Sequence, residues 1–253
     1  MIRLNSLSKH FKGGFSGGTT ALDQVSLDIT AGEYVILVGV NGCGKSTLLQ
    51  AIAGSIQPDS GTLLMDGVDI TKVPEHRRSR AVARLFQNPL LGTAPGLSIL
   101  ENFRLASLRG NRKGLRIGID RAFRDLVAQR IARLNMGLEN RLDLEMGALS
   151  GGQRQALTLL MSTMDTCKVL LMDEPASALD PRSAELVMNL ANEIVREKNL
   201  AALLVTHQLE DGVRYGDRIL QMDQGKIIRD VSSIEKKNLD AASLRSWFNR
   251  STD

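Results

Sequence analysis

The chain has 253 residues, of which 43% are hydrophobic and 24% charged, and its formal net charge is +4. That length suits one large domain or two small lobes with a full core, and the composition is ordinary for a globular protein. No apolar run reaches the roughly 18 residues of a membrane span, the first residues lack an apolar stretch of signal-peptide length, and Cys43 and Cys167 have no metal-type spacing, so the expectation is a reducing cytoplasm.

Ile2-Arg3-Leu4 and Val25-Ser26-Leu27-Asp28-Ile29 alternate as half-buried strands do. Between them, Gly13-Gly14 and Gly17-Gly18 mark a loop. Residues 34–38 form a short apolar run, expected as a buried strand. A helix is expected over 45–53, with Leu48, Leu49, Ile52 and Ala53 on one face and Gly54 as its stop. Residues 62–65 and the turn Asp66-Gly67 read as a hairpin. From about 98 to 149 helical periodicity dominates and positive charge accumulates, which is expected for a helical lobe inserted into an α/β core. The core then resumes with a helix after Gly152, a buried strand at 169–172, an amphipathic helix carrying Leu186, Val187, Leu190, Ile194 and Val195, and a buried strand at 202–206. A small strand pair near 218–222 and 226–229 closes it. The expected division is a domain over 1–232 and a polar, partly helical tail over 233–253.

Gly39-Val40-Asn41-Gly42-Cys43-Gly44-Lys45-Ser46 has the spacing G-x-x-x-x-G-K-[ST] between a strand and a helix. Glycines let backbone N–H groups turn inward around an anionic phosphate, and the helix N-terminus adds partial positive charge. Lys45 can reach terminal phosphates, Ser46 can offer a hydroxyl to Mg²⁺, and Thr47 is placed on the α-phosphate side. Cys43 has two readings, a redox switch on nucleotide binding or a small residue whose side chain points away.

The run at 169–172 ends in two carboxylates, Asp173 and Glu174. In open α/β sheets ligands bind at the carboxyl ends of strands. Asp173 is suited to hold Mg²⁺ through water, and Glu174 to orient or deprotonate an attacking water. His207 ends the second buried strand and is placed to bond a γ-phosphate, whereas His10 and His76 read as surface residues. The amide oxygen of Gln87, after a short apolar stretch, could complete a Mg²⁺ shell, although a lone glutamine is a weak signal.

In their order along the chain these motifs resemble the nucleotide-binding subunit of an ABC transporter. Residues 39–47 match the family's Walker A motif and 169–174 its Walker B motif. Leu149-Ser150-Gly151-Gly152-Gln153, continued by Arg154-Gln155, matches its signature motif. Gln87 matches the Q-loop glutamine, Ser177-Ala178-Leu179-Asp180 the D-loop, and His207 the switch histidine. Phe11 falls where the family stacks an aromatic on adenine, with Phe15 as the competing choice.

The resemblance implies an α/β fold of P-loop ABC type: a mixed-sheet core, an antiparallel β subdomain and an inserted helical subdomain. It implies ATP and Mg²⁺ as ligands and ATP hydrolysis that drives transport, with Lys45, Glu174 and His207 catalytic. It further implies that Ser150, Gly151, Gly152 and Gln153 contact ATP held by a second copy, since one chain carries one Walker A and one signature motif. Permease subunits and, indirectly, a periplasmic or lipoprotein solute-binding protein are the other implied partners. The implied place is the cytoplasmic face of the cell membrane, and no nucleic acid is expected. The alternative is an ABC ATPase acting on nucleic acid or the ribosome; such relatives carry long coiled coils or two nucleotide domains, which this chain lacks.

Residues 85–95 and 137–142 resemble one bacterial subgroup, whose ATPases serve amino-acid-type permeases and binding proteins assigned to tryptophan or tyrosine. This chain departs from it at Pro175-Ala176-Ser177, where the subgroup often has His-Thr-Ala. The permease is expected to dock on residues 88–103, read as turns without a strand or helix, with Leu90, Leu91, Leu97, Ile99 and Leu100 as the apolar contacts. Beside it lies a basic run, Arg104, Arg109, Arg112, Lys113, Arg116, Arg121, Arg124, Arg130 and Arg133, faced only by Asp120 and Asp125. That run is either a solvated face or a contact with anionic lipid.

Overall fold

Alternating residues in the first part of the chain build an antiparallel sheet. In the computed structural model, which describes residues 1–12, 18–109, 118–164 and 166–248, β1 (Ile2–Phe11) pairs with β2 (Thr19–Ile29), Ile2 opposite Ile29 and Phe11 opposite Thr19. Both strands extend beyond the alternation legible in sequence. Register shifts beyond Leu4 and Leu7 break the period of two there. On the other edge of β1 lies β4 (Ser60–Met65), which turns through Asp66-Gly67 into β5 (Val68–Asp69). Both turn residues have positive φ, as a two-residue hairpin requires.

The second sheet has six strands in the order β10-β9-β3-β8-β7-β6. They are β3 (Tyr34–Gly39), β6 (Val82–Leu85), β7 (Val169–Asp173), β8 (Ala201–Val205), β9 (Arg218–Asp223) and β10 (Lys226–Val231). Every pairing is parallel except β9 with β10. Strands buried on both faces read as unbroken apolar runs, as β3 and β8 do. The period of two divides them: Val35, Leu37, Leu203 and Val205 pack with the antiparallel sheet and α1 (Lys45–Ala53), while Tyr34, Ile36, Ala202 and Leu204 pack with the helices on the far side.

Those helices include α3 (Ile99–Ser107), α4 (Arg121–Ala132), α5 (Gly151–Ser162) and the long α6 (Pro181–Glu197). A short α2 (Glu75–Arg78) leads into β6. Its buried Arg78 donates to Ala51 O, Ile52 O, Thr71 O and Val73 O, which fixes the C-terminal end of α1. Beyond β8, α7 (Leu209–Arg214) begins two residues after His207, with Gln208 as its N-cap. The tail forms α8 (Ser233–Lys236) and α9 (Ala241–Ser246). Leu244 of α9 is fully buried, the Lys236 ammonium donates to Tyr215 O and Gly216 O at the end of α7, and Arg245 pairs with Glu210 at 2.7 Å. Trp247 accepts a bond from Gln221 Nε2 at 3.3 Å and lies under the Arg229 guanidinium. Among the described residues, no helix is long and apolar enough to cross a membrane.

The structure corrects two expectations about the lobe. Residues 88–103 are not bare turns: a 3₁₀ turn spans Pro89–Gly92 and α3 begins at Ile99. Ile99 and Leu100 are core residues of the lobe, whereas Leu90 and Leu91 are exposed. The capping box at Ser98 and Glu101 starts α3 and turns its apolar stripe inward. The basic run also meets more acid than its local sequence holds. Arg124 pairs with Asp143, and Arg133 with Glu193 and Glu197, from other elements. Arg109 donates to Met161 O and Ser162 O at the end of α5. Arg112, Lys113 and Arg116 lie outside the described residues.

Candidate functional site

The strand ends of β3, β8 and β7 lie side by side, and each delivers one part of the site. Past Gly39, at the end of β3, the chain loops and enters α1 at Lys45. Gly44 caps that helix at φ 110°, and a Cβ there would lie 2.1 Å from Ala21 O. Glycine is imposed at this position by close backbone approach. Lys45 is 5% exposed, and its ammonium donates to Gly39 O at 2.8 Å and Val40 O at 2.9 Å. The charge therefore sits inside the curl of the loop. Gly42 and Asn41 are exposed at the rim together with Val40, and Thr47 is half-buried.

Cys43 is buried beneath the loop, its Sγ 3.8 Å from Lys45 Nζ. Burial pushes its thiol up, against the opposing pull of the Lys45 charge. This arrangement suits a packed small residue.

Ser46 Oγ donates to Asp173 Oδ1 at 3.3 Å, which brings the first turn of α1 to the end of β7. Glu174 follows with φ 48°, a left-handed conformation uncommon for glutamate. Several bonds hold it there: its N–H donates to Val205 O at 3.0 Å, and its carbonyl accepts from Ser177 N and Ser177 Oγ. Asp173 lies opposite Val205 in the β7–β8 ladder, so the residues following β8 come alongside the acidic pair. His207 Nε2 thereby contacts Glu174 Oε1 directly. His10 and His76 are exposed and remote from this cluster, with His10 bonded to Thr20 Oγ1.

Gln87 is exposed and follows β6, whose Leu85 lies opposite Met172 of β7. The backbone thus carries it toward the acidic pair. Phe11 ends β1, 40% exposed, with Lys9 Nζ 5.7 Å from its ring centroid. Phe15 lies outside the described residues.

Ser150 N-caps α5. Its Oγ accepts from Gln153 N at 3.3 Å, and Gln153 Oε1 accepts from Ser150 N at 3.1 Å, a reciprocal capping box. Gly151 is exposed, while Gly152 is buried where a Cβ would meet Ser183 Oγ at 2.3 Å. Among the described residues no hydrogen bond joins 150–153 to the phosphate loop. Arg154 and Gln155, which continue the signature motif, take bonding roles that the motif does not give. Arg154 donates to Met146 O, Gly147 O and Leu149 O and so fixes the approach to the cap. Gln155 is fully buried and bonds two distant carbonyls. The available signal for Gln155 was an amide set in an otherwise apolar helix face.

A phosphate cradle beside a strand-end acidic pair defines a P-loop nucleoside triphosphatase. The comparisons narrow that class. The family described as ABC transporter matches residues 22–177. A tyrosine transport ATP-binding protein of Clostridioides difficile is 39% identical over 248 residues, covering 98% of each chain. A methionine import ATP-binding protein of Sodalis glossinidius is 31% identical over 259 residues, covering 100% of this chain and 71% of that one. A dimeric post-hydrolysis state of the ATP-binding cassette MJ0796 bound to ADP and Pi superposes with a TM-score of 0.78 at 26% identity, covering 92% of this chain and 99% of that one. The chain belongs to the ABC transporter family. It is an ATP-binding subunit of that family and an ATPase.

Proposed function

We propose that this subunit powers a bacterial importer of amino acids or related small solutes, and that it works as a homodimer with two shared ATP sites. The observation that carries the reading is the meeting of Lys45, the Ser46–Asp173 contact and the Glu174–His207 contact at three adjacent strand ends. The transport functions of the tyrosine and methionine relatives favour the amino-acid class.

In this reading residues 39–47 wrap the ATP phosphates with backbone N–H groups. Lys45 exchanges its two carbonyl partners for terminal phosphate oxygens, and Phe11 stacks on adenine. Ser46, Asp173 and Gln87 are hard oxygen donors, and the 3.3 Å Ser46–Asp173 contact sets two of them together, so the set fits Mg²⁺. When bound, that ion neutralises charge on the phosphate oxygens. Glu174 orients the attacking water and accepts its proton, while His207 holds the Glu174 carboxylate and bonds the γ-phosphate. The α5 N-terminus, Ser150 to Gln153, faces the γ-phosphate held by the partner copy, where unpaired helix N–H groups favour an anion.

The division is an ATPase domain over 1–232, with the helical lobe at about 98–149, and a tail over 233–253. Permease subunits dock in a groove of about 420 Å³ lined by Arg84, Phe86, Leu91, Asn102, Leu105 and Met161, beside exposed Leu90. A solute-binding protein completes the assembly from outside the cell, and this subunit sits peripherally on the cytoplasmic face of the membrane.

Glu174→Gln tests the shared site. The variant should bind ATP, lose about 10²- to 10⁴-fold in turnover, and elute as a dimer on size exclusion with ATP and Mg²⁺. Elution as a monomer under saturating ATP rejects the shared site.

A further inference from the structure

We propose that Gln155 is a positioning residue for hydrolysis, tying the signature helix to the two segments that carry Gln87 and Glu174. The proposal rests on the site reading above. Gln155 lies one turn into α5 and is 0% exposed. Its Nε2 donates to Phe86 O at 2.8 Å and to Pro175 O at 2.9 Å. Both partners are carbonyls, so the NH₂ side of the amide faces them and both of its donors are used.

Each acceptor is chemically next to a site residue. The Phe86 carbonyl belongs to the peptide plane that also contains the Gln87 N–H. Pro175 directly follows Glu174, the residue held at φ 48°. Uncommon backbone conformations persist where surrounding bonds over-determine them. The Val205 O and Ser177 bonds hold Glu174 itself, and Gln155 holds the next carbonyl. One side chain thus fixes the spacing between the end of β6, the end of β7 and the N-terminal turn of α5.

The amide's other atom supports this role. Gln155 Oε1 is buried without a hydrogen-bond partner among the described residues. An unmet buried acceptor is costly, and an apolar side chain would avoid it. Retaining an amide here makes physical sense if its two donors are required, because an apolar side chain would leave two carbonyls unmet at the strand ends.

The test uses the full chain with ATP and Mg²⁺. Gln155→Met keeps the volume and removes both donors. Its kcat per folded molecule should fall by about ten- to hundredfold, as a small misplacement of reacting groups does, while KM and the affinity for a fluorescent ATP analogue stay within about twofold. Gln155→Glu lacks a donor when ionised and regains one when protonated. Its kcat relative to the unaltered chain should rise as pH falls from about 8 to about 6, since burial raises a carboxyl pKa into that range. Unchanged kcat per folded molecule, a loss that falls on KM instead, or a flat pH ratio overturns the proposal. If Gln155→Met does not fold, the pH ratio of Gln155→Glu decides alone. Full turnover by Glu174→Gln in the same assay would instead reject the underlying site assignment.

Discussion

Lys45 shows how one side chain can be set ready for the phosphate proposed for it. An ammonium that is 5% exposed needs acceptors, and Gly39 O and Val40 O supply them from the loop that the lysine serves. A polyphosphate can take over those bonds without the side chain crossing open solvent. Lys45→Ala should weaken ATP affinity by about ten- to hundredfold, the loss of one charge-assisted contact, as read by titration with a fluorescent ATP analogue. Affinity within about twofold of the unaltered chain would remove Lys45 from the phosphate site. Glu174 is prepared differently, because its chemistry depends on backbone geometry. Its φ of 48° turns the carboxylate to His207, and that turn is held by three hydrogen bonds to its own backbone groups, from Val205 and Ser177. The carboxylate and lysine were legible in sequence because each belongs to a short contiguous motif. The bonds around the neighbouring strand ends were not, since Gln155 reaches the Phe86 and Pro175 carbonyls from 69 and 20 residues away.

At the scale of elements, α5 is the part that, in the proposed shared site, one chain cannot use alone. Its N-terminus is capped by Ser150 and packed on α6 through Gly152. Ser150→Arg removes a cap worth about 1 kcal/mol and puts a bulky cation where the partner's phosphate would lie. The isolated variant should bind ATP as the unaltered chain does and yet fail to hydrolyse it. Mixing it with Lys45→Ala should restore part of the activity, because one composite site in the heterodimer keeps both elements intact. Nucleotide affinity lost in the isolated variant would place the signature contact within one chain. Strands β3, β7 and β8 were readable because burial on both faces leaves unbroken apolar runs. Strand β6 is not legible in sequence, because it has four residues and Arg84 interrupts it. The outer halves of β1 and β2 were hidden by register shifts. Ile99 and Leu100 misled because exposed and core leucines look alike until the α3 cap fixes which face turns inward.

For the whole molecule, the tail is bound into the same structure that carries His207. Burial pulls the Lys236 ammonium down to about 8, against the opposing pull of Asp217, while its protons are held by Tyr215 O and Gly216 O. The unfolded chain keeps that proton to the ordinary lysine value of about 10.4. Between those values the unfolded state binds more protons, so this group adds stability as pH rises from about 8 to about 10 and loses it as pH falls back. Urea unfolding at those two pH values should show the unaltered chain gaining on Lys236→Met; an unchanged difference would sink the assignment. The chain also has a single tryptophan, and it lies in that tail. Trp247 is half-buried under Arg229, bonded through its carbonyl to Gln221 of β9, just past a helix packed on α7. The protein therefore carries its own lamp at the end of α9. Leu244→Asp, which places a charge at a fully buried position, should shift the emission to the red while far-ultraviolet circular dichroism of the core stays in place. Unshifted emission would mean that the lamp does not report docking, whereas a shift would let undocking of the tail be timed without any attached label.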